Sequence, residues 1–242
     1  MIIKSRQNSL VKQFRTPGDL FVIEGAKLVS EALLAGFTPK AALFTEKAQK
    51  QYEELFTRLS AYIVSDDISE YISDTKSPQG VFAMFSRREA ELDFKLMSRV
   101  VMLDCVQDPV NVGAIIRSCE AFGIGGVVLS NDSADMYSPK VMRASAGSVL
   151  RQPCKKEGLT DVIPRLKEEG YTVYASALCG DAVNLRENSF FGKVAVVIGN
   201  EGKGVSAKVL ELCDKKLYIP ISGAESLNAG VAAGIICYEL ND

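Results

Sequence analysis

The 242-residue sequence has no histidine, and its six cysteines stand singly. Cys105, Cys119, Cys154, Cys179, Cys213 and Cys237 show none of the paired spacings that hold zinc, and there is no histidine to help them, so no metal is expected. Several of them lie inside apolar runs, where a free thiol packs as a small hydrophobe, which points to a reducing compartment, the cytoplasm. No apolar run approaches the length of a membrane span, and Met1-Ile2-Ile3-Lys4-Ser5-Arg6 is too short an apolar start for a secretory signal, so no membrane partner is expected. Charge of one sign is lacking too. The 28 Lys and Arg are set against 30 Asp and Glu, a net charge of −2, so the overall field does not select a polyanionic partner.

What is present is enough apolar material, 47% of residues, to build buried cores and to exclude disorder. The first part alternates short β-branched or aromatic runs with helical patterns: a strand over Phe21-Val22-Ile23, a helix over Ala26 to Ala35, a strand over Ala41 to Thr45, a helix over Ala48 to Leu59 and a strand over Ala61 to Ser65. After Pro78-Gln79-Gly80 comes another strand, Val81 to Phe85, and then the charged stretch Ser86 to Lys95, which reads as a linker. A second alternation follows, with strands at Val100 to Val106, Gly126 to Ser130, Tyr171 to Ser176, Val194 to Ile198 and Leu217 to Ile221. Strands apolar on both faces and separated by helices imply a parallel sheet covered on both sides, with ligands at the carboxyl ends of its strands.

Three polar motifs fall at those ends. In Asp108-Pro109-Val110-Asn111-Val112-Gly113-Ala114-Ile115-Ile116-Arg117, Asn111 is placed to cap a new helix with an apolar stripe through Val112, Ile115, Ile116, Cys119 and Phe122. Arg117 lies one turn beyond Gly113, whose missing side chain would leave room beside the guanidinium for another molecule. In Ile198-Gly199-Asn200-Glu201-Gly202-Lys203-Gly204 the glycines permit close main-chain approach, and Glu201 could orient a cation such as Arg117. The third motif, Ile219-Pro220-Ile221-Ser222-Gly223-Ala224-Glu225-Ser226-Leu227-Asn228, sets Ser226 and Asn228 at the start of an almost wholly apolar helix, Ala229 to Leu240. Each motif alone also reads as plain architecture: a capped helix with a surface arginine, a tight turn, and Ser226 as an N-cap. Two cationic patches have the same double reading, as phosphate contacts or as solvated faces. They are Lys4, Arg6, Lys12 and Arg15, before the first acid at Asp19, and Lys140, Arg143, Arg151, Lys155 and Lys156.

Taken together and in this order, the three motifs resemble those of the SpoU/TrmH family of RNA ribose 2′-O-methyltransferases in the SPOUT superfamily. Ser138 to Ser148 resembles a further family segment near the RNA site, and the stretch with Glu24-Gly25 and Pro78-Gln79-Gly80 resembles the family's substrate-binding domain. The resemblance implies an α/β chain in two parts: a small ribosomal-protein-like RNA substrate-binding domain at residues 1–90, and a SPOUT methyltransferase domain at 98–242 whose parallel sheet is tied in a trefoil knot, a rare exception to unknotted topology. It implies S-adenosylmethionine as cofactor, a homodimer, and an RNA substrate, with ribosomal RNA favoured over transfer RNA. By resemblance the catalytic positions are Asn111, Arg117, Glu201, Ser226 and Asn228, and the cofactor wall is Ile198, Gly199, Ile219, Ile221 and Leu227. RNA would meet Lys4, Arg6, Lys12, Arg15, Lys140 and Arg143. Ala229-Gly230 departs from the family's usual Val-Ser, which puts a hydroxyl contact at Gly230 in doubt. Two other readings stay open at this point: an RNA-binding assembly factor without catalysis, and a dinucleotide-dependent oxidoreductase. The latter lacks the glycine fingerprint and ribose-binding acid after Val100 to Val106.

Overall fold

The computed structural model describes residues 2–177, 180–223 and 225–241, so Cys179 and Ala224 lie outside the described residues. The chain divides into two compact units, Met1–Arg88 and Glu89–Asp242. In the first, β1 (Ile2–Ile3), α1 (Ser9–Arg15), β2 (Leu20–Glu24), α2 (Ala26–Leu34), β3 (Pro39–Thr45), α3 (Glu46–Gln51), α4 (Glu53–Leu59), β4 (Tyr62–Val64), α5 (Asp66–Ile72) and β5 (Val81–Ser86) follow one another. Their mixed sheet has the order β1-β4-β3-β5-β2, with β5 antiparallel to both its neighbours. Strand β5, between β3 and β2, is covered on both faces. Phe82 and Met84 join Val11, Phe14, Leu43 and Ile68 on one side, while Phe85 stacks on Phe21, with ring centroids 5.6 Å apart. The expected helix Ala48 to Leu59 is broken at Tyr52, whose backbone (φ −128°, ψ 48°) leaves the helical region. Helices α1 and α5 were not foreseen. Asn8 caps α1 by accepting from the N–H groups of Leu10 and Val11.

The second unit contains β6 (Arg99–Leu103), α6 (Pro109–Ala121), β7 (Gly126–Leu129), α7 (Pro139–Ala144), β8 (Cys154–Lys156), α8 (Leu159–Glu168), β9 (Tyr171–Ser176), β10 (Val183–Asn184), β11 (Lys193–Ile198), α9 (Ala207–Leu212), β12 (Lys215–Tyr218) and α10 (Ala229–Glu239). All pairings in its seven-stranded sheet, ordered β10-β12-β9-β11-β6-β7-β8, are parallel. Every residue of β7 and all but the first of β6 and β11 are buried, as a doubly covered sheet requires. Helix α8 closes one face through Leu159, Val162, Ile163 and Leu166, against Val100, Met102, Val173 and Val197. Burial of α6 along Val112, Ile115, Ile116 and Cys119, all 0% exposed, stabilises by roughly 1.5–3 kcal/mol per large aliphatic side chain.

The expected linker Ser86 to Lys95 is only partly a connector. From Glu89 onward it belongs to the second unit, where Ala90 donates to the Cys154 carbonyl and Phe94 is buried in the core. Two short strands, β8 and β10, were missed because Cys154-Lys155-Lys156 and Val183-Asn184 contain no apolar run to read. The last expected strand, Leu217 to Ile221, ends at Tyr218, because Pro220 cannot donate to a ladder. Ile219 and Ile221 therefore sit in an irregular segment.

Candidate active site

Strands β6 and β11 are neighbours, and the loops that leave their carboxyl ends interlock. Asp104 N–H donates to the Ile198 carbonyl at 2.9 Å, and Asn200 Nδ2 donates to the Cys105 carbonyl at 2.8 Å. Asn200 Oδ1 accepts from the N–H groups of Gly202 and Lys203 at 3.0 and 3.1 Å, which shapes the second loop as an Asx turn. Gly199 is required here, since a Cβ would collide with the backbone of Gly204 and Val205. Cys105 holds a left-handed φ of 55°, secured where its N–H donates to Ser130 Oγ at 2.8 Å.

Across these loops runs a chain of side-chain amides. Glu201 Oε1 accepts from Asn111 Nδ2 at 2.8 Å and from Asp108 N–H at 3.3 Å. Asn111 Oδ1 accepts from Asn228 Nδ2 at 2.8 Å, and Asn228 Oδ1 accepts from Val231 N–H at 3.2 Å, capping α10. The three motifs are thereby tied over separations of 90 and 117 residues. Burial by itself would raise the Glu201 carboxyl pKa. Hydrogen bonds from Asn111 and from the backbone of Glu201, Asp108 and Gln107 outweigh it and hold the group below its ordinary value.

Several expectations change in detail. Asn111 is not the cap of α6: Asp108 accepts from Val110 N–H at 2.9 Å, with Pro109 in the first helical position, and this pairing starts the helix earlier. Asn111 is instead buried, 3% exposed, inside the first turn. Gly113 leaves no room for a ligand, since a Cβ would stand 2.5 Å from Ala144 Cβ and 2.8 Å from Ser145 N; it lets α7 lie against α6. Glu201 makes no hydrogen bond or ion pair with Arg117 among the described residues; its Oε1 accepts from Asn111 instead. Arg117 is exposed and has no hydrogen bond or ion pair among the described residues. Ser226 is exposed and does not cap α10; Asn228 does. Gly230 is explained by packing, as its Cβ would come within 3.0 Å of Ala114 Cβ and 3.2 Å of Asn228 Oδ1.

Ile198 is buried at the end of β11, next to half-buried Gly199, and Ile219, Ile221 and Leu227 are half-buried beyond β12. These three lie outside any strand or helix, so no ladder consumes their main-chain groups. Apolar side chains beside main-chain groups that have no backbone hydrogen bond among the described residues suit a purine nucleoside. Of the cationic positions, Lys140 and Arg143 are exposed on α7, while Arg151 pairs with Glu120 and Lys155 with Glu157. Lys4 and Lys12 are exposed, Arg6 lies 4.8 Å from the Tyr71 ring centroid, and Arg15 pairs with Asp74 at 3.4 Å. Among the described residues no group of three or more His, Cys, Asp or Glu could hold a metal ion, and no helix is long and apolar enough to cross a membrane. Asp108 and Asn200 are the supporting residues that sequence reasoning missed. Asp-Pro at a helix start and Asn within a glycine-rich turn were the available signals.

A parallel α/β unit with polar residues gathered at the carboxyl ends of adjacent strands defines an enzyme domain of the nucleotide-binding kind. Residues 98–238 match the SpoU rRNA Methylase family and residues 2–83 the MRM3-like substrate binding domain. The chain is 36% identical to the 23S rRNA (guanosine(2553)-2'-O)-methyltransferase RlmP of Bacillus subtilis, over 98% of each chain. It resembles the AdoMet-bound rRNA methyltransferase from Sinorhizobium meliloti with a TM-score of 0.86 and 28% identity, covering 99% of this chain and 96% of that one. The TrmH/SpoU tRNA modifying enzyme of A. aeolicus aligns at TM-score 0.53 and 30% identity, covering 61% of this chain and 78% of that one. The chain belongs to the SpoU rRNA methylase family and is an RNA methyltransferase.

Proposed function

We propose that this protein transfers a methyl group from S-adenosylmethionine to the 2′-hydroxyl of a ribose in ribosomal RNA. The observation that carries this reading is the hydrogen-bonded chain Glu201–Asn111–Asn228, which unites the three motifs at the carboxyl ends of β6 and β11. The ribosomal target is supported by coverage. Similarity to RlmP spans 98% of the chain, whereas similarity to the tRNA modifying enzyme spans 61%. The N-terminal unit, residues 1–88, is then the part that binds the RNA substrate, with Lys4, Arg6, Lys12 and Arg15 as its phosphate contacts and Lys140 and Arg143 as those of α7.

S-adenosylmethionine supplies an electrophilic methyl on a sulfonium whose departure leaves a neutral thioether. Ile198, Gly199, Ile219, Ile221 and Leu227 wall its adenosine. Asn111, Glu201 and Asn228 spend their amide and carboxylate contacts on one another, so in this reading they are positioning residues that fix the loops. Arg117 and Ser226, both exposed, are the groups left to touch substrate. Arg117 cannot serve readily as a base, because a guanidinium stays protonated. It fixes the phosphate beside the target ribose and stabilises the alkoxide as the proton leaves to water or a neighbour. A homodimer belongs to the same reading: Val231 and Tyr238, 51% and 64% exposed, give α10 an apolar outer face. A cytoplasmic setting belongs to the same reading, since the cysteines stand singly and Cys119, Cys154 and Cys237 are buried as small hydrophobes.

A labelled-methyl transfer assay on ribosomal RNA tests the central role. Arg117→Ala should slow transfer by about 100–1,000-fold while S-adenosylmethionine affinity, measured by calorimetry, stays within about twofold. Transfer at the parental rate would refute the role given to Arg117.

A further inference from the structure

The N-terminal unit gathers two arginines on one tyrosine. Tyr71 lies on α5, half-buried and packed against the core that includes Val11, Phe14 and Ile68, so its ring is held in place. The Arg6 guanidinium, from the turn before α1, lies over that ring at 4.8 Å from its centroid, and the Arg15 guanidinium, from the last residue of α1, at 5.9 Å. Two like charges repel, so their convergence costs energy unless something offsets it. The negative face of the ring does so in part, and it restricts two long side chains that would otherwise sample many rotamers. Arg6 makes no hydrogen bond or ion pair among the described residues, so its donors are open to a ligand.

Arg15 already has an anion. Its Nη1 donates to Asp74 Oδ1 at 3.4 Å, in a pair whose side chains are both about half exposed. Asp74 is held there from both sides. Ser73 Oγ donates to Glu24 Oε2 at 2.8 Å, Thr75 Oγ1 donates to Glu24 Oε1 at 3.0 Å, and Thr75 N–H donates to Ser73 Oγ at 2.9 Å. With its two neighbours tied to Glu24, the exposed residue between them stands outward. That gives a use to Glu24 of the Glu24-Gly25 pair, which the chemistry above leaves without a role. An exposed ion pair contributes little to stability, so the fold does not depend on this one. A carboxylate and a phosphate offer a guanidinium the same kind of paired oxygens, so Asp74 takes the place on Arg15 that an RNA phosphate would take.

We propose that Arg6 and Arg15 together grip one stretch of RNA backbone, that Tyr71 is the positioning residue that holds them together, and that Asp74 is an internal anion which RNA must displace from Arg15. The proposal rests on the phosphate contacts given to Arg6 and Arg15 in the reading above, and adds how those contacts are organised and restrained. The ring lowers the ordering cost that binding has to meet, while Asp74 sets a threshold against weaker anions.

Filter binding of end-labelled ribosomal RNA to the full chain, over a series of salt concentrations, tests each part. Tyr71→Leu and Tyr71→Met keep an apolar side chain on the core but lose the ring face, and each should weaken binding about threefold, while Tyr71→Phe, which keeps the ring, should restore it. In a chain that already carries Arg6→Ala and Arg15→Ala, the same two substitutions should have no further effect, whereas a merely structural role would weaken both backgrounds alike. Asp74→Asn should tighten binding about threefold at low salt, with the gain fading as salt rises, because an exposed ion pair is screened. Asp67→Asn, an exposed acid on α5 removed for the same change in net charge, should tighten it less. Parental affinity without the ring, or an equal loss in both backgrounds, overturns the role of Tyr71. A gain in Asp74→Asn no larger than in Asp67→Asn overturns that of Asp74. Parental affinity and salt slope in the chain lacking both arginines remove the reading on which the proposal rests, and the proposal with it. Weakened binding there, with parental affinity in Tyr71→Leu and Tyr71→Met, keeps that reading and removes the positioning role alone.

Discussion

The two units use their strand ends in opposite ways. In the N-terminal unit the sheet is mixed, and the end of β3 is sealed from within, Thr45 against Gly80, so that its polar groups line a bowl between nearby elements. In the second unit every strand runs the same way, so all the carboxyl-end loops emerge on one edge and can interlock. Glu201, Asn111 and Asn228 meet there across 90 and 117 residues. A parallel sheet concentrates long-range polar contacts at one edge, and a mixed sheet distributes its ends. The first arrangement suits chemistry that needs several groups fixed together, and the second suits a local recognition surface.

This contrast can be broken most severely at the helix contact that holds the parallel unit's edge. Gly113→Val places side-chain atoms where Ala144 and Ser145 already stand, and should cost about 3 kcal/mol or more. Hydrogen exchange should report lost protection in α6 and α7 with β3 and β5 unchanged, and loss spread evenly over both units would break the comparison. Next in size is Asn111→Ala, which strands Glu201 and Asn228 and should cost roughly 1–3 kcal/mol in chemical denaturation. Asn111→Asp should be worse than Ala at neutral pH, since it sets a second carboxylate against Glu201.

A pH series sharpens the same point. The folded Glu201 carboxyl lies below its ordinary value, so its contribution is fully present above the unfolded carboxylate pKa of about 4.3 and is lost as pH falls through the folded value. Side-chain amide resonances of Asn111 should shift in that acid window, and Glu201→Gln should abolish the shift. The smallest effect belongs to the N-terminal cations. Lys4→Ala and Lys12→Ala should each weaken RNA binding and lower the salt slope by about 0.7–0.9 without altering methyl transfer at saturating RNA. An unchanged salt slope would remove these two residues from the RNA face.

Much of the fold was legible because its signals are local. β2, β3 and β5 to β7, and likewise β9 and β11, are dense apolar runs between turn residues, and the cores at Val100, Met102 and Val197 follow from them. β4, only three residues long, was legible within the run Ala61 to Ser65, whereas β1, β8 and β10 stand in no such run, and the break at Tyr52 turns on one backbone conformation. The candidate site divides the same way. Asn111, Glu201 and Asn228 could be singled out as polar residues at strand ends, but nothing local says that they bond to each other rather than to Arg117.

By itself, then, the sequence determined which residues must be buried, where strands alternate with helices, and that no histidine or paired cysteine takes part, because composition and periodicity are properties of short windows. Only the tertiary structure decided that Gly113 receives a helix and not a ligand, that Asp108 and not Asn111 starts α6, and that Gly230 lies against Ala114. Each of those depends on what another part of the chain brings within a few ångströms, and the packing of whole elements sets that.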